Sequence, residues 1–342
     1  MKSICFAVSC LIITAATADT ITVCSSGCDY TSINDAIDAA SNGDVIQLSD
    51  EVYYEGEEIN TDGKAITLRG AVLEGFPQSV LDGGETHRVL HCAGGEGADT
   101  VFENLLIKNG HADNGAGMRI AGARPTLNNC WFDMNGAEIH GGGLMAIASW
   151  STLVNCRFTG NFVGECGGGL YGSNSSLRLT DCVFGLNLAD YGGGMCNVAS
   201  SPTLTNCTFE SNIAQYGGGI GNNSSSSPII ITCTFEDNVA SLNGGALYSQ
   251  SNSNPILTNS TVCGNTADQI AGDWTDNGGN AVAAECSQCF AADFNSDGHV
   301  DAADLGMLLA AWGLGGATDI NGDGTTDAAD LGMLLSFWGP CP

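Results

Sequence analysis

Two short acidic stretches near the end of the chain carry the clearest chemical signal. Residues 293–304 are DFNSDGHVDAAD and residues 319–330 are DINGDGTTDAAD. Both place carboxylate or amide oxygens at loop positions 1, 3, 5, 9 and 12, with glycine at the bend of position 6. Calcium, a hard cation that takes about six to eight oxygens, is the cofactor that this spacing predicts. The predicted ligands are Asp293, Asn295, Asp297, Asp301 and Asp304 with the carbonyl of His299, and Asp319, Asn321, Asp323, Asp327 and Asp330 with the carbonyl of Thr325.

Three other residues, Glu138, His140 and Glu165, could take part in acid–base chemistry. They lie in successive segments before glycine clusters, and Asp190 follows at the matching place of the next segment. Two carboxylates at one edge can act as general acid and base, and a histidine can act as base. The competing interpretation is that all four are solvated loop residues. The sequence therefore gives weak catalytic candidates and leaves enzymatic activity uncertain.

A repeat with a period of 25 to 27 residues positions these segments. Each unit has a small residue, an apolar residue two positions later, an asparagine three positions after that, and then a glycine cluster. A fixed period in this range predicts a solenoid, because no unit can bury its apolar face alone. Strand-forming residues between Gly, Asn and Ser corners favour a parallel β-helix over a helical array. The repeated asparagines are Asn135, Asn161, Asn187, Asn212, Asn238 and Asn265, and the small residues are Cys130, Cys156, Cys182, Cys207, Cys233 and Ser260.

The repeated asparagines and cysteines each have two interpretations. The asparagines predict a ladder in which side-chain amides bind neighbouring backbone and tolerate left-handed φ; the alternative is a polar groove for sugars. The cysteines of successive coils have parallel Cβ vectors, which suits a ladder of buried thiols better than disulfides. A metal or redox role for these cysteines is the less favoured alternative.

The frame F-x-x-N followed by G-G-[AGL]-[ILM] resembles the polymorphic outer membrane protein repeats of chlamydial surface proteins. More broadly, it resembles the pectin-lyase-like right-handed β-helix superfamily. The segment from Tyr30 to Gly70 is similar to the start of pectinesterase-like β-helices, in which a helix caps the coils, and 32–43 has the pattern of such a helix. The catalytic motif sets of polygalacturonase-like, pectinesterase-like and pectate-lyase-like enzymes are not present as sets.

The C-terminal stretch resembles a type I dockerin, because each acidic loop is followed by an apolar segment, at 305–313 and 331–339, that predicts a helix. The resemblance implies calcium binding and a protein partner. In dockerins, polar residues at loop positions 10 and 11 and a basic pair in the helix contact cohesins. Here Ala302-Ala303 and Ala328-Ala329 occupy those positions and the basic pair is missing. The partner is therefore either cohesin-like or an unrelated protein.

Composition and the N-terminal residues bear on partners and compartment. The chain has 38 Asp and Glu against 9 Lys and Arg, so nucleic acid is excluded as a partner and an acidic polysaccharide is expected to be repelled unless calcium bridges it. Residues 1–18 have the pattern of a secretory signal peptide, and no segment is long and apolar enough for a membrane span. Secretion permits disulfides, for which Cys24–Cys28 and Cys286–Cys289 are the local candidates.

Taken together, these patterns predict an all-β, right-handed parallel β-helix with an N-terminal helical cap and a small α-helical calcium module. The expected divisions are a signal peptide at 1–18, the β-helix at 19–272, a linker at 273–291 and the dockerin-like module at 292–342. The favoured function is a secreted or cell-surface protein, adhesin-like or contacting a polysaccharide or cell-envelope glycan. The alternative is a carbohydrate-active enzyme, either a polysaccharide lyase or a glycoside hydrolase.

Overall fold

The structure is a computed structural model that describes residues 18–250, 252–286, 292–295 and 297–340. Apart from Ala18, the predicted signal peptide lies outside the described residues. The helices whose bounds lie within these ranges are α1 (Ile33–Ala39), α2 (Ala302–Ala310) and α3 (Ala328–Ser336). No helix in the described ranges is long and apolar enough to cross a membrane.

Strands make up most of the remaining chain. They are β1 (Thr20–Val23), β2 (Val45–Leu48), β3 (Val52–Tyr53), β4 (Ile59–Asn60), β5 (Thr67–Arg69), β6 (Val72–Leu73), β7 (Phe76–Pro77), β8 (Ser79–Asp82), β9 (Leu90–Cys92), β10 (Val101–Lys108), β11 (His111–Asn114), β12 (Met118–Ala121), β13 (Thr126–Asp133), β14 (Gly136–His140), β15 (Leu144–Ile147), β16 (Thr152–Val154), β17 (Arg157–Thr159), β18 (Phe162–Val163), β19 (Leu170–Ser173), β20 (Arg178–Thr180), β21 (Val183–Gly185), β22 (Met195–Val198), β23 (Thr203–Thr205), β24 (Thr208–Glu210), β25 (Ile213–Tyr216), β26 (Ile220–Asn223), β27 (Ile229–Ile231), β28 (Thr234–Glu236), β29 (Val239–Asn243), β30 (Leu247–Ser249), β31 (Ile256–Thr258), β32 (Thr261–Cys263), β33 (Ile270–Ala271), β34 (Thr275–Asp276), β35 (Ala281–Val282), β36 (His299–Val300) and β37 (Gly339–Pro340).

These strands stack from coil to coil as a right-handed parallel β-helix, as the repeat predicts. One face is a nine-stranded sheet that runs from β4 to β33. A 19-stranded sheet forms the other long faces, where β13 pairs with both β16 and β17 and the sheet continues as two ribbons. The segments before the glycine clusters make short strands of their own, such as β11, β14 and β18. All of these coil-to-coil pairings are parallel, and the antiparallel pairs are β6–β7 and β36–β37.

Two ladders run through the interior. The rings of Phe132, Phe158, Phe184, Phe209 and Phe235 stack with centroids 4.6 to 4.9 Å apart. Beside them the asparagine ladder is confirmed: Asn161 Nδ2 donates to Phe132 O at 2.9 Å and to Asn187 Oδ1 at 3.0 Å. Asn187 repeats this pattern with Phe158 and Asn212. Because each amide is buried and fully paired with the neighbouring coil, the ladder fixes the register.

Left-handed φ occurs at a different set of asparagines from the one predicted. The interior asparagines keep negative φ, whereas the half-buried Asn129 and the exposed Asn155 and Asn206, just before the cysteines, have φ near 50°. Asparagine tolerates this conformation because its short polar side chain can bond locally. These residues form a second, outer ladder, in which Asn155 Nδ2 donates to Asn129 Oδ1 at 3.1 Å.

The N-terminal cap follows the sequence pattern. Ser32 is the N-cap of α1 and accepts from the main-chain N–H of Asp35 at 3.2 Å. Ile33, Ala36 and Ile37 are buried against the first coils. At the other end of α1, Lys64 Nζ donates to the carbonyls of Ile37 and Asp38.

The C-terminal end of the coil stack differs from the expected boundary. Strands β34 and β35 still pair in parallel with β31 and β32, so the coil pairing extends past residue 272 to Val282. The helices of the module also begin earlier than predicted, at Ala302 and Ala328. Asp301 and Asp327 act as N-caps, and their carboxylates accept from the N–H groups two residues later. The last acidic loop positions therefore form the first turn of each helix.

The cysteines divide as predicted in all but one pair. The ladder cysteines are free and buried, and burial raises the pKa of the Cys156 thiol well above its usual range. The Cys24–Cys28 disulfide is present. The predicted Cys286–Cys289 pair is wrong, because Cys286 is joined to Cys263; Cys289 lies outside the described residues. This bond ties the chain after the last coil to β32, which spacing alone could not indicate.

Candidate functional site

The structure brings two of the three weak catalytic candidates together. His140, Glu165 and Asp190 line one cleft of about 430 Å³. Glu138 does not belong to it: its side chain is 65% exposed and lies 3.9 Å from His111 on another surface. Regular alternation would place Glu138 and His140 on one side of β14, but the pairing with β11 shifts register between Ala137 and His140, and this bulge separates the two side chains.

The floor of the cleft is the outer face of the nine-stranded sheet. Parallel register aligns Met145, Tyr171, Cys196, Gly221 and Tyr248 on successive strands. Their neighbours Leu144 and Ala146 point into the core, so this column faces outward. The outward residues Met145, Tyr171 and Cys196 are nevertheless largely buried, and they form a separate apolar cluster. Something must therefore cover them from outside.

The cover is the segment before each glycine cluster, which forms the wall of the cleft. His140, Cys166, Tyr191 and Tyr216 occupy matching positions on successive coils. The ring of Tyr191 lies over Gly221, where any Cβ would overlap it, and Tyr191 Oη donates to the carbonyl of Asn222 at 2.9 Å. Glycine at this floor position is what lets the wall fold down onto the sheet.

A disulfide between Cys166 and Cys196 joins the wall to the floor in the middle of the cleft. The sequence left both cysteines unassigned, because their partnership depends on how the wall folds over the sheet. Cys166 follows Glu165 directly, so the disulfide also holds the segment that carries this carboxylate. Cross-linking of this kind restricts the motion of the wall relative to the floor.

Rings follow one another along the cleft. His140 stacks on Tyr171 with centroids 4.4 Å apart. Further along, Tyr191 and Tyr216 each lie beside Tyr248, at 5.6 and 5.0 Å between centroids. Burial raises the pKa of Tyr191, so its hydroxyl is neutral and remains a hydrogen-bond donor. The cleft is thus an aromatic surface with phenolic donors.

Acidic and amide groups complete the lining. Glu165, Asp190, Gln215 and Asn223 border the rings, and Gln215 Nε2 donates to Asp190 Oδ1 at 2.6 Å. Among the described residues no arginine or lysine lines this cleft. Such a lining offers apolar stacking surfaces together with donors and acceptors for hydroxyl groups.

The same outer face continues toward the N-terminus with a charged network that the sequence did not reveal. Arg119 precedes Met145 in the floor column, and His91 precedes Arg119. Arg119 Nη1 lies 3.0 Å from His91 Nε2, and His91 Nδ1 lies 2.9 Å from Glu58 Oε1. Burial alone would raise the pKa of Glu58, but the hydrogen bond and charges of His91 and Arg88 lower it. No spacing links residues 58, 91 and 119, which meet only through the coil register.

The two acidic loops of the module have the same local geometry. In each loop, the aspartate at position 1 accepts from main-chain N–H groups at positions 5 and 6, and the aspartate at position 12 accepts from those at positions 3 and 9. Asp304 and Asp330 are fully buried, and the backbone N–H of Asp327 is the main cause that lowers the pKa of Asp330. In the first loop, the N–H groups of Asp297 and Gly298 donate to Asp293, and those of Asn295 and Asp301 donate to Asp304. In the second loop, the N–H groups of Asp323 and Gly324 donate to Asp319, and those of Asn321 and Asp327 donate to Asp330.

This donor set is compatible with a calcium ion. The loop carboxylates and the side-chain amide oxygens of Asn295 and Asn321 are hard oxygen donors, the type that calcium takes. In the described ranges, no three His, Cys, Asp or Glu side chains surround a single point closely enough to form a metal cluster. The loops therefore supply the right chemistry, and the ligand set remains a prediction.

Comparison with known proteins agrees with the fold. Residues 87–220 match the family model described as "Right handed beta helix region", and residues 232–250 match the Chlamydia polymorphic membrane protein repeat. No curated protein sequence matches the chain.

Solved structures with a similar arrangement include a pectin methylesterase from carrot, which is 13% identical, covers 80% of this chain and 86% of that chain, and has a TM-score of 0.48. A pectin methylesterase from Aspergillus niger is 14% identical over 80% of this chain and 92% of that chain, with a TM-score of 0.47. The pectate lyase Pel9A is 12% identical over 78% of this chain and 79% of that chain, with a TM-score of 0.41. The coil register and the match of residues 87–220 identify this chain as a protein with the right-handed parallel β-helix fold.

Proposed function

We propose that the protein is a secreted or cell-surface β-helix that binds a polysaccharide in the tyrosine-lined cleft and is attached elsewhere through its calcium-binding module. The observation that carries the proposal is the row of half-buried Tyr191, Tyr216 and Tyr248 along one face, the first two of which line the cleft. Aromatic rings stack on the apolar faces of sugars, and the flanking amides and carboxylates can bind hydroxyl groups.

The charge of the cleft narrows the class of glycan. Glu165 and Asp190 are its ionisable side chains besides His140 and the tyrosines, and the whole chain carries a formal charge of −29. Carboxylates in the lining repel acidic sugars and accept hydrogen bonds from neutral ones. The cleft therefore favours a neutral segment of glycan.

Two features support the extracellular part of the proposal, and a third supports the attachment. The described residues form three disulfides, Cys24–Cys28, Cys166–Cys196 and Cys263–Cys286, and such bonds persist in oxidising compartments. The predicted signal peptide agrees with this placement. The dockerin-like module exposes Leu309 in α2 and Trp312 just after it, and Leu335 in α3 and Trp338 just after it, so apolar side chains are available for an attachment partner.

The alternative is a carbohydrate-active enzyme, a lyase or a hydrolase, and one observation favours it. His140, Glu165 and Asp190 share the cleft with the tyrosines, which places possible acids and bases where a bound sugar would lie. The same cleft thus serves both hypotheses, and they differ in whether bound glycan is cleaved.

One experiment separates them. The chain from residue 19 onward is incubated with a panel of neutral polysaccharides, binding is measured by retention, and products are sought by mass spectrometry. We expect retention without products, and the Tyr216→Ala variant should bind roughly tenfold more weakly because it loses a stacking platform. Tyr54→Ala serves as control, since Tyr54 is 69% exposed and outside the cleft.

Two results would contradict the binding hypothesis. Shortened or unsaturated oligosaccharides that disappear in Glu165→Gln or Asp190→Asn would establish the enzyme instead. Equal retention by wild type, Tyr216→Ala and Tyr54→Ala would show that the cleft is not the binding surface.

A further inference from the structure

A second concave site lies at the opposite end of the strands that form the cleft floor. His140 precedes β15 on the cleft side, whereas Trp150 follows β15 at the corner that leads into β16. Here a cavity of about 370 Å³ is lined by Arg124, Trp150 and Arg178, with Ser176, Ser201 and Thr203 among the rim residues. We call it the arginine–tryptophan pocket.

The pocket is a departure from the repeat. At this corner the hydroxyl of a buried serine accepts a hydrogen bond from the main-chain N–H of the coil before it. Ser175 Oγ accepts from Ser149 in this way, and Ser200 Oγ accepts from Ser175. The residue that follows this corner position points outward. In the later coils it is small and polar: Ser176, Ser201, Ser227 and Asn254. In the two coils before them it is Arg124 and Trp150.

A third large residue enters the same pocket from a neighbouring position. Thr126, Thr152, Arg178 and Thr203 are in register on successive strands. The column continues with Ile229 and Ile256, so Arg178 is the charged residue in a series of threonine and isoleucine. Arg124 and Trp150 occupy positions where the later coils have serine or asparagine, and all three large side chains line one cavity.

The charges of the two arginines are not neutralised within the described part of the chain. Arg69 and Arg88 form ion pairs with Glu103 and Glu58, but neither Arg124 nor Arg178 has an ion pair or side-chain hydrogen bond there. The chain as a whole is strongly negative, with 38 acidic residues, so two unpaired guanidinium groups in one pocket create a locally positive site.

Glu96 contacts Arg124 through the main chain, but its carboxylate points away from the pocket. Glu96 accepts from the N–H of Arg124 through its carbonyl. Its carboxylate instead bonds Thr61 Oγ1 at 2.5 Å and the N–H groups of Gly63 and Gly94. Glu96 is therefore fully engaged inside the coil and leaves the pocket positive.

The lining selects its ligand by two properties. Guanidinium groups bind carboxylate or sulfate through paired hydrogen bonds, and the indole of Trp150, which is 61% exposed, can stack on an apolar ring face. The strands of Thr126 and Arg178 are two steps apart, roughly 10 Å. That span suits a short piece of a charged chain better than a single small ion.

We propose that the arginine–tryptophan pocket binds an acidic sugar residue, with its carboxylate or sulfate on Arg124 or Arg178 and its ring on Trp150. The site is separate from the tyrosine cleft and does not depend on the function proposed for it. It also revises the expectation that an acidic polysaccharide binds only through bridging calcium, because these guanidinium groups bind the anion directly.

The test uses retention of the full chain from residue 19 on a carboxylated polymer (polygalacturonate), a sulfated polymer (dextran sulfate) and neutral dextran, all with chelator. Arg124→Ser, Trp150→Ser and Arg178→Thr restore the residues that the repeat itself has at these positions, so folding is expected to be kept. Arg69→Thr is the control, since it removes the same charge from a paired arginine. We expect each pocket arginine variant to bind about tenfold more weakly, as for loss of a charge-assisted hydrogen bond, with Arg69→Thr unchanged.

Each outcome either supports or overturns the proposed pocket. Selective loss on polygalacturonate or on dextran sulfate supports the proposal and identifies the acidic group. Failure of wild type to bind either acidic polymer in chelator overturns it, as does an equal loss in Arg69→Thr, which would indicate net charge alone. Tyr216→Ala must leave this binding intact; a loss there would assign the acidic polymer to the cleft.

Discussion

The β-helix and the C-terminal module are both built from sequence repeats, but their repeats are held in different ways. Each interior asparagine of the β-helix binds the next coil, as Asn161 does with Asn187, and one apolar core continues through the stack. In the module each acidic loop binds mainly its own backbone, and the fully packed core is Ala292, Val300, Leu308 and Leu334. A repeat that contacts its neighbours stabilises itself by stacking, whereas a repeat closed on itself needs another source of stability.

The largest expected effect follows from that contrast. If calcium supplies the stability of the module, chelation should unfold α2 and α3 and leave the coils folded. A site held at a thousandfold excess of ligand over Kd gains about 4 kcal/mol, which is large beside such a small core. Hydrogen exchange of the full chain with and without chelator would show loss of protection confined to residues 292–340.

Two variants sharpen this test. Asp304→Asn and Asp330→Asn remove one predicted ligand charge each, and each should raise the calcium concentration needed for protection of its own loop. Protection that does not change with calcium, in wild type and variants alike, would contradict the predicted sites.

The fold was largely predictable because the same structural pattern recurs in every repeat of the sequence. The spacing of Asn135 to Asn265 indicates the coil length, and the apolar residue three positions earlier indicates which side faces inward. The position of left-handed φ was not predictable in the same way, because Asn129 and Asn135 differ in burial, which single-residue preferences do not encode. Likewise, no spacing could pair Cys263 with Cys286, since the chain returns to β32 only after the last coil.

The candidate site was predictable only in part. His140 and Glu165 stood out as ionisable residues before glycine clusters, but Tyr191 and Tyr216 at matching positions look like ordinary repeat residues. Their role depends on the wall that folds over Gly221, a contact between coils that the sequence shows only as one glycine among 48. Glu138 was misplaced because a bulge between Ala137 and His140, which the sequence does not show, breaks the alternation that would keep the two side chains together.

The second prediction concerns the interior ladder. In Asn187→Ala, the carbonyl of Phe158 loses its amide donor, and the backbone and side-chain N–H groups of Asn161 lose their acceptor. Leaving buried groups unpaired should destabilise the β-helix by about 3 kcal/mol, measured as a shift of the denaturant midpoint. The matched control is Asn155→Gly in the exposed ladder, which keeps the positive φ and should lower stability by less than about 1 kcal/mol. Equal losses in both variants would mean that burial does not distinguish the two ladders.

A third, smaller effect is expected in acid. Burial by itself would raise the pKa of Glu96, but its hydrogen bonds with the hydroxyl of Thr61, with its own main-chain N–H and with the N–H of Gly63 lower it. A carboxylate with a lowered folded pKa stabilises the protein above its unfolded pKa, near 4.3, and this contribution is lost as pH falls through the folded value. Thermal unfolding from pH 7 down to 3 should therefore show declining stability, with a shallower decline in Glu96→Gln. The same slope in the variant would assign the acid sensitivity to other carboxylates.

The smallest effect tests the outer ladder, where one residue interrupts the amide series. Asp181 stands where the preceding and following coils have Asn155 and Asn206. Its Oδ1 accepts from Asn206 Nδ2 at 2.6 Å, but a carboxylate has no proton to donate to Asn155 Oδ1. Asp181→Asn supplies that donor and should stabilise the coils by about 0.5 to 1 kcal/mol, whereas Asn206→Asp places a second charge beside the first and should destabilise them. A denaturant midpoint that falls in Asp181→Asn would show that the carboxylate has a role of its own at this corner, and the outer ladder would then differ from the inner one in function as well as in exposure.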